Sequence, residues 1–265
     1  MRLVDTHVHL DFPEFDVDRD QVMVRAACEG VHSIVGVSVD LDSSRRLLGL
    51  AQQYPALRVT VGIHPAYVGK GKNDANLWNE LEHLAQEPKV VALGETGLDF
   101  HRLPQDPVET EAIRMAQRTA FQAHLQLAAK LGLPLVIHQR DAWEETWELL
   151  EPYRGKVRAV FHCFGGTWEQ AERILRAGWK LSFTGTVTFR KSQALRALAA
   201  QLPEESFMIE TDAPFLAPEP WRGRRNEPAW VIHVARVLAQ ARQQSVETIA
   251  ELTTQNAVCF FALEG

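Results

Sequence analysis

At 265 residues the chain is long enough to bury a substantial core and of ordinary length for one barrel domain. Its 46% hydrophobic and 23% charged residues are those of a globular protein, and no apolar run approaches the ~20 residues that span a bilayer. A net charge of -6 argues against bulk electrostatic coating of nucleic acid but leaves room for a site that grips a few phosphates locally. Cys28, Cys163 and Cys259 are scattered and odd in number, which argues against a disulfide framework and against a C-x-x-C zinc site. Asp5, His7 and His9 interrupt the stretch where a signal peptide would run apolar, so the expected compartment is the cytoplasm.

In chain order, short β-rich runs alternate with longer helical stretches, the pattern of βαβ units around a parallel sheet. The predicted strands are Leu3–Thr6, Ser33–Val37, Arg58–Gly62, Val90–Gly94, Leu135–Ile137, Ala159–Phe161, Lys180–Phe183 and Phe207–Ile209. Helices are predicted over Asp18–Gly30, Asp42–Tyr54, Ala75–Gln86, Glu109–Leu131, Ala142–Leu150, Trp168–Ala177 and Gln193–Gln201. Two more follow the last strand: Pro228–Gln243 closes the outer ring, and Val246–Leu263 is an additional C-terminal helix packed against it. No repeat, linker or composition break appears, so residues 1–265 read as a single (β/α)8 TIM barrel of class α/β. A doubly wound open sheet would place a G-x-G-x-x-G turn after its first strand, where this chain has Thr6-His7-Val8-His9.

In such a barrel the active site forms where the strands end. His7 and His9 follow the first predicted strand, His64 the third, Glu95 and Asp99 the fourth, His138 the fifth, His162 the sixth and Asp212 the eighth. A lone loop histidine is usually structural. The H-x-H pair is a stronger signal, because alternate residues of an extended segment share a face. What decides the matter is that these groups choose the same end of successive strands. His32, His83, His101, His124 and His233 fall elsewhere and read as structural. The set suits two divalent ions: His7, His9 and Asp212 on one, His138 and His162 on the other, and Glu95 bridging them. A water held there attacks while Asp212 takes its proton, so Glu95 and Asp212 are the catalytic carboxylates and no serine or cysteine nucleophile is needed. Cys163, beside His162, is assigned to packing. Mixed imidazole and carboxylate ligands accept zinc, manganese, magnesium or iron.

Asp5-Thr6-His7-Val8-His9-Leu10, Gly62-Ile63-His64-Pro65, Gly94-Glu95-Thr96-Gly97-Leu98-Asp99, His162-Cys163-Phe164 and Glu210-Thr211-Asp212-Ala213-Pro214 form an ordered set. With Arg225-Asn226-Glu227-Pro228 and Asn256, it closely resembles the TatD-type deoxyribonucleases over residues 3–261. The resemblance implies a metal-dependent hydrolase of the amidohydrolase-like group, with DNA or another nucleotide polymer as substrate. It supports the ligand set above and implies that His64 contacts the substrate phosphate. It also places Glu210 near the metals, to bind water, a further cation or substrate, or to stand behind the ligands, and it lets Asp99 orient a ligand or loop. Gly165 and Gln139 stand where many relatives have serine.

Trp221-Arg222-Gly223-Arg224-Arg225-Asn226 gathers cations after the eighth strand. Such a stretch is often a solvated basic turn. As a functional element it is a phosphate clamp in which Arg224, Arg225 and Asn226 bind substrate and Trp221 stacks on a base. Two other classes compete with a nuclease: a hydrolase of small-molecule C–N, C–O or phosphate ester bonds, and a non-catalytic metal-binding barrel. Every ligand position is filled, which disfavours the last. Glu95 stands where many C–N-cleaving relatives carry a carboxylated lysine, which favours phosphoesters. Nothing in the sequence indicates a membrane or an obligate protein partner.

Overall fold

The computed structural model describes residues 1–69 and 76–263. Its strands are β1 (Leu3–Val8), β2 (Val31–Gly36), β3 (Leu57–Val61), β4 (Val90–Asp99), β5 (Leu135–Arg140), β6 (Ala159–Phe161), β7 (Lys180–Phe183) and β8 (Phe207–Ile209). They form one eight-stranded sheet in sequential order, parallel throughout. Helices α1 (Arg19–Cys28), α2 (Leu41–Gln53), α3 (Leu77–Leu84), α4 (Pro107–Leu131), α5 (Trp143–Leu150), α6 (Trp168–Arg176) and α7 (Gln193–Gln201) connect successive strands. After β8 come α8 (Val231–Arg242) and α9 (Val246–Phe261). The chain is a TIM barrel. The predicted start of the third helix, Ala75, lies outside the described residues.

Strand β1 is buried along its whole length, as a strand with packed side chains inside and helices outside must be. One core lies between sheet and helix ring. A second fills the barrel with Val4, Val35, Ala92, Val136, Val160 and Met208, one from each of six strands, closed off by Phe260 and Phe261 of α9. Thr254 donates to Arg2 O, and Asn256 to Glu204 O and Phe207 O, so α9 touches the starts of β1 and β8. It therefore plugs the end of the barrel opposite the strand termini that carry function. The additional C-terminal helix expected from the sequence packs against α8, and the four apolar residues Ala257, Phe260, Phe261 and Leu263 find their burial on the barrel floor. The end of the helix is set by Ala262, whose backbone is left-handed.

Strands β1, β4 and β5 run further than their apolar runs. Pairing continues through Thr96↔Ile137, Gly97↔His138, Leu98↔Gln139 and Asp99↔Arg140, which draws Glu95 and His138 into the sheet. Gly97 permits this: its φ is +139°, and a Cβ there would lie 2.0 Å from His138 O. The barrel closes between β1 and β8 through Asp212 N–H to His7 O (2.9 Å) and His9 N–H to Ala213 O (2.8 Å). The Asp5 carboxylate reinforces that seam by accepting from Thr211 N–H at 2.9 Å and from the Thr211 hydroxyl at 2.5 Å.

Candidate metal centre

Glu95 is 2% exposed, and its two oxygens face different partners. Oε2 lies 3.3 Å from His7 Nε2 and 3.7 Å from His9 Nε2, and those two nitrogens lie 3.6 and 3.5 Å from Asp212 Oδ1. Oε1 lies 2.6 Å from His138 Nδ1 and 2.7 Å from His162 Nε2. The structure thus brings together all six residues chosen from the sequence as ligands, on the ends of β1, β4, β5, β6 and β8.

The rings are aimed by what their outward nitrogens touch. His9 Nδ1 donates to Val37 O at 2.9 Å, leaving the Nε2 lone pair toward Glu95 and Asp212. His138 Nε2 donates to Asp99 Oδ2 at 3.1 Å, leaving Nδ1 inward. His162 Nδ1 faces Glu210 Oε1 at 3.3 Å, leaving Nε2 inward. Such partners fix both tautomer and ring angle. Asp99 is itself held by Gln117, which accepts from Asp99 N–H at 2.9 Å and donates to Asp99 O at 3.1 Å. Glu210 accepts from Cys163 N–H (2.7 Å) and the Ser182 hydroxyl (2.6 Å). Its oxygens are therefore engaged within the protein, which fits a role behind His162 rather than one in binding substrate.

The electrostatics agree. Burial opposes charge on every member, yet in Glu95 the surrounding imidazoles, led by His162, outweigh it and hold the carboxyl well below its usual range. At Asp212 burial is likewise outweighed, chiefly by contact with His9, and the carboxyl is lowered. His162 is raised well above its ordinary value because Glu95 and Glu210 outweigh its burial. His7 is lowered by burial, and neither of its ring nitrogens has a hydrogen-bond partner. An imidazole orphaned beside two anionic oxygens, with donor atoms 3.3 to 3.7 Å apart, is what a divalent ion requires. Tetrahedral bonds of ~2.0–2.1 Å set ligand atoms about 3.3 Å apart. The set fits a metal.

His64 behaves differently. Its Nδ1 accepts from Ala66 N–H at 2.9 Å, so in the neutral ring Nε2 carries the proton. That nitrogen points into the site, 3.3 Å from His138 Nδ1 and 3.6 Å from Glu95 Oε1. Burial lowers its pKa to about 3, which keeps the ring neutral. Buried His124 supports it from below, accepting from Ile63 N–H at 3.1 Å.

The loop after β8 departs from expectation. Arg225 is ion-paired to Asp18 at 2.6 Å, donates to Glu14 O and lies over the Phe15 ring. Arg25 joins the network, bound to Asp18 and Glu227. Asn226 is wholly buried and donates to Thr211 O (2.9 Å) and Phe215 O (2.6 Å). Trp221 stacks on Trp230 and meets the His233 ring at a tilt. These three are committed to the fold: Arg225 binds the β8 loop to the loop after β1, and Asn226 braces the β8 loop from within. Arg224 is exposed on the same loop but is not among the residues lining the cleft over the site. The basic run reads as a clamp in the sequence because its acidic partners lie some two hundred residues away.

That cleft measures about 1130 Å³ and is lined by residues the sequence did not single out, among them Phe12, Phe215 and Arg140, and by Gln139. With its amide turned, Gln139 accepts from Ala142 and Trp143 N–H at the start of α5. Gly165 also lines the cleft, so both departures from the relatives sit on its wall. Cys163 has its thiol 3.3 Å from the Thr184 hydroxyl, and burial pushes it up to about 12, which removes it as a nucleophile. The sequence did not mark Asp5 as a site residue, although it stands two residues before His7 in the same motif.

A family model described as TatD related DNase matches residues 4–262. The chain belongs to this family. It is 37% identical over 270 residues to the 3'-5' ssDNA/RNA exonuclease TatD of Cronobacter turicensis, covering 98% of this chain and 97% of that one. It is 34% identical over 264 residues to YabD, an uncharacterised metal-dependent hydrolase of Bacillus subtilis, covering 98% and 99%. The crystal structure of YjjV, a TatD homologue from Escherichia coli K12, superposes with a TM-score of 0.89 at 30% identity over 99% of both chains. Membership makes this TatD-family protein a metal-dependent hydrolase of the DNase type. No helix among the described residues is long and apolar enough to cross a membrane.

Proposed function

We propose that this protein hydrolyses phosphodiester bonds of single-stranded DNA or RNA at a centre of two divalent ions. The observation that carries the reading is the division of Glu95, one oxygen toward His7 and His9 and the other toward His138 and His162. That division supports His7, His9 and Asp212 as ligands of one ion, His138 and His162 of the other, and Glu95 as the bridge. Bound ions supply a water acidified toward neutral pH and positive charge against that developing on the phosphate. Zinc, manganese and magnesium all suit the donors.

Asp212 is the more open of the two carboxylates, with 12% side-chain exposure against 3% for Glu95, so it has the access to take a proton from the attacking water. Its backbone sits in the left-handed region at φ +59°, pinned by its N–H to His7 O and next to Thr211, which Asn226 and Asp5 hold; such strain is found at functional sites. His64 donates Nε2–H to a phosphate oxygen, consistent with its tautomer. Asp99 and Glu210 orient His138 and His162. Among the candidate substrate contacts, Arg224 remains available to a strand leaving the cleft.

Polymer rather than small-molecule substrate is favoured by the cleft, which exceeds the ~300–1,000 Å³ usual for small-ligand sites. The relatives named as exonucleases favour the same choice. Residues 1–265 then act as one domain, in the reducing cytoplasm given three unpaired cysteines, with no obligate protein partner. The test is hydrolysis of end-labelled single-stranded DNA with EDTA or added magnesium, manganese or zinc, beside Asp212→Asn. Metal-dependent cleavage lost in the variant is expected. No cleavage under any metal transfers the site to a small-molecule substrate.

A further inference from the structure

Phe215 is 47% exposed at the edge of a cleft whose floor is imidazole and carboxylate. An exposed benzyl group beside charged groups contributes nothing to the core. Nor is it loosely held: its N–H donates to Asp212 O at 2.8 Å and its carbonyl accepts from Asn226 at 2.6 Å. Phe12 meets it edge-to-face, ring centroids 5.9 Å apart and planes at 83°. Phe12 in turn lies over His9, at 4.8 Å and 23°, and Phe215 stands 6.0 Å from the same imidazole. Two rings set at right angles thus make a rigid aromatic corner against His9 and Asp212. On the other side of the centre Arg140, exposed and without an ion pair among the described residues, lines the same cleft.

Resting on the phosphodiesterase reading, we propose that Phe215 and Phe12 form a stacking subsite for the nucleobase flanking the scissile phosphate. The corner commits to a planar π-faced group joined to a phosphate within one residue, because its rings touch the same His9 that faces Glu95 and Asp212. Every base has such a face, so the subsite tolerates any sequence. A base can reach it only after leaving its neighbours and its pairing partner, which makes an unpaired strand end the preferred substrate.

The test uses oligonucleotides identical except that the terminal or penultimate nucleotide at the cleaved end carries thymine or an abasic tetrahydrofuran. Wild-type kcat/KM should favour thymine by about 5–100-fold, the usual range for one base on one aromatic ring. In Phe215→Ala that preference should fall to about threefold or less, and Phe215→Trp should restore it. Fluorescence anisotropy of the same oligonucleotides in EDTA should show the same loss of discrimination without any turnover. A wild-type enzyme that cleaves both equally, or a Phe215→Ala variant that keeps the full preference, overturns the subsite alone. Failure of the wild type to cleave either strand under any metal overturns the phosphodiesterase reading and the subsite with it.

Discussion

The Asp5 carboxylate accepts from both the N–H and the hydroxyl of Thr211, which ties the start of the β1 motif to the loop that carries Asp212. The barrel's seam between first and last strands therefore runs through the candidate metal centre, with His7 and His9 on one side and Asp212 on the other. Buried Asp5 is raised well above its ordinary value by desolvation, against the hydrogen bonds from Thr211. Its role is to position the two halves.

Removing an inward imidazole tests the ligand set. His7→Ala deletes the ring that has no hydrogen-bond partner of its own, so the fold should tolerate the change. Metal content measured by atomic emission should fall and hydrolysis should disappear. Full activity with full metal content would sink the assignment.

The residues behind the ligands should matter nearly as much. Asp99→Asn and Glu210→Gln weaken the orientation of His138 and His162, and each is expected to cost about 10–100-fold in metal affinity or activity. Chelator competition reads the affinity directly. Unchanged affinity in both variants would mean the rings are held by packing alone.

Metal binding should depend on pH with a definite sign. Burial opposes charge on His9, His138 and His162, but contacts with Asp212, Asp99 and Glu95 raise all three. A protonated imidazole cannot ligate, so binding must expel those protons and affinity must weaken as pH falls through the raised values. Calorimetry in buffers of different ionisation enthalpy should register net proton release. A titration with no buffer dependence contradicts this.

Arg225 is expected to affect stability rather than substrate. Its partners hold the Asp18 carboxyl below the usual range, led by the Arg225 hydrogen bond. The latch is thus fully present above the ordinary carboxylate value of ~3.9 and is lost as pH falls through the depressed one. Arg225→Ala should cost about 1 kcal/mol, ~2–4 °C in Tm for a chain this long, because the pair is partly exposed. Activity on polynucleotide and on a small diester should change equally. A selective loss on polynucleotide would return Arg225 to the substrate.

Much of this was legible in the chain. The eight strands could be read from apolar runs, and β6, β7 and β8 have their predicted bounds. The cluster of candidate ligands could be read because ligand chemistry recurs at strand ends. The limits of β1, β4 and β5 could not, since Glu95 and His138 are polar residues that the sheet accepts only because their partners lie across the barrel. The Arg225–Asp18 pair spans 207 residues, a contact no local pattern announces. Phe12 and Phe215 look like ordinary core residues in sequence, and only their exposure beside His9 distinguishes them.

The account turns on two ions sharing Glu95, and anomalous diffraction from crystals grown with manganese tests that most directly. Two anomalous peaks about 3.5–4 Å apart are predicted, one among His7, His9 and Asp212 and one between His138 and His162, with Glu95 spanning both. A single peak, or a pair placed away from Glu95, would contradict it.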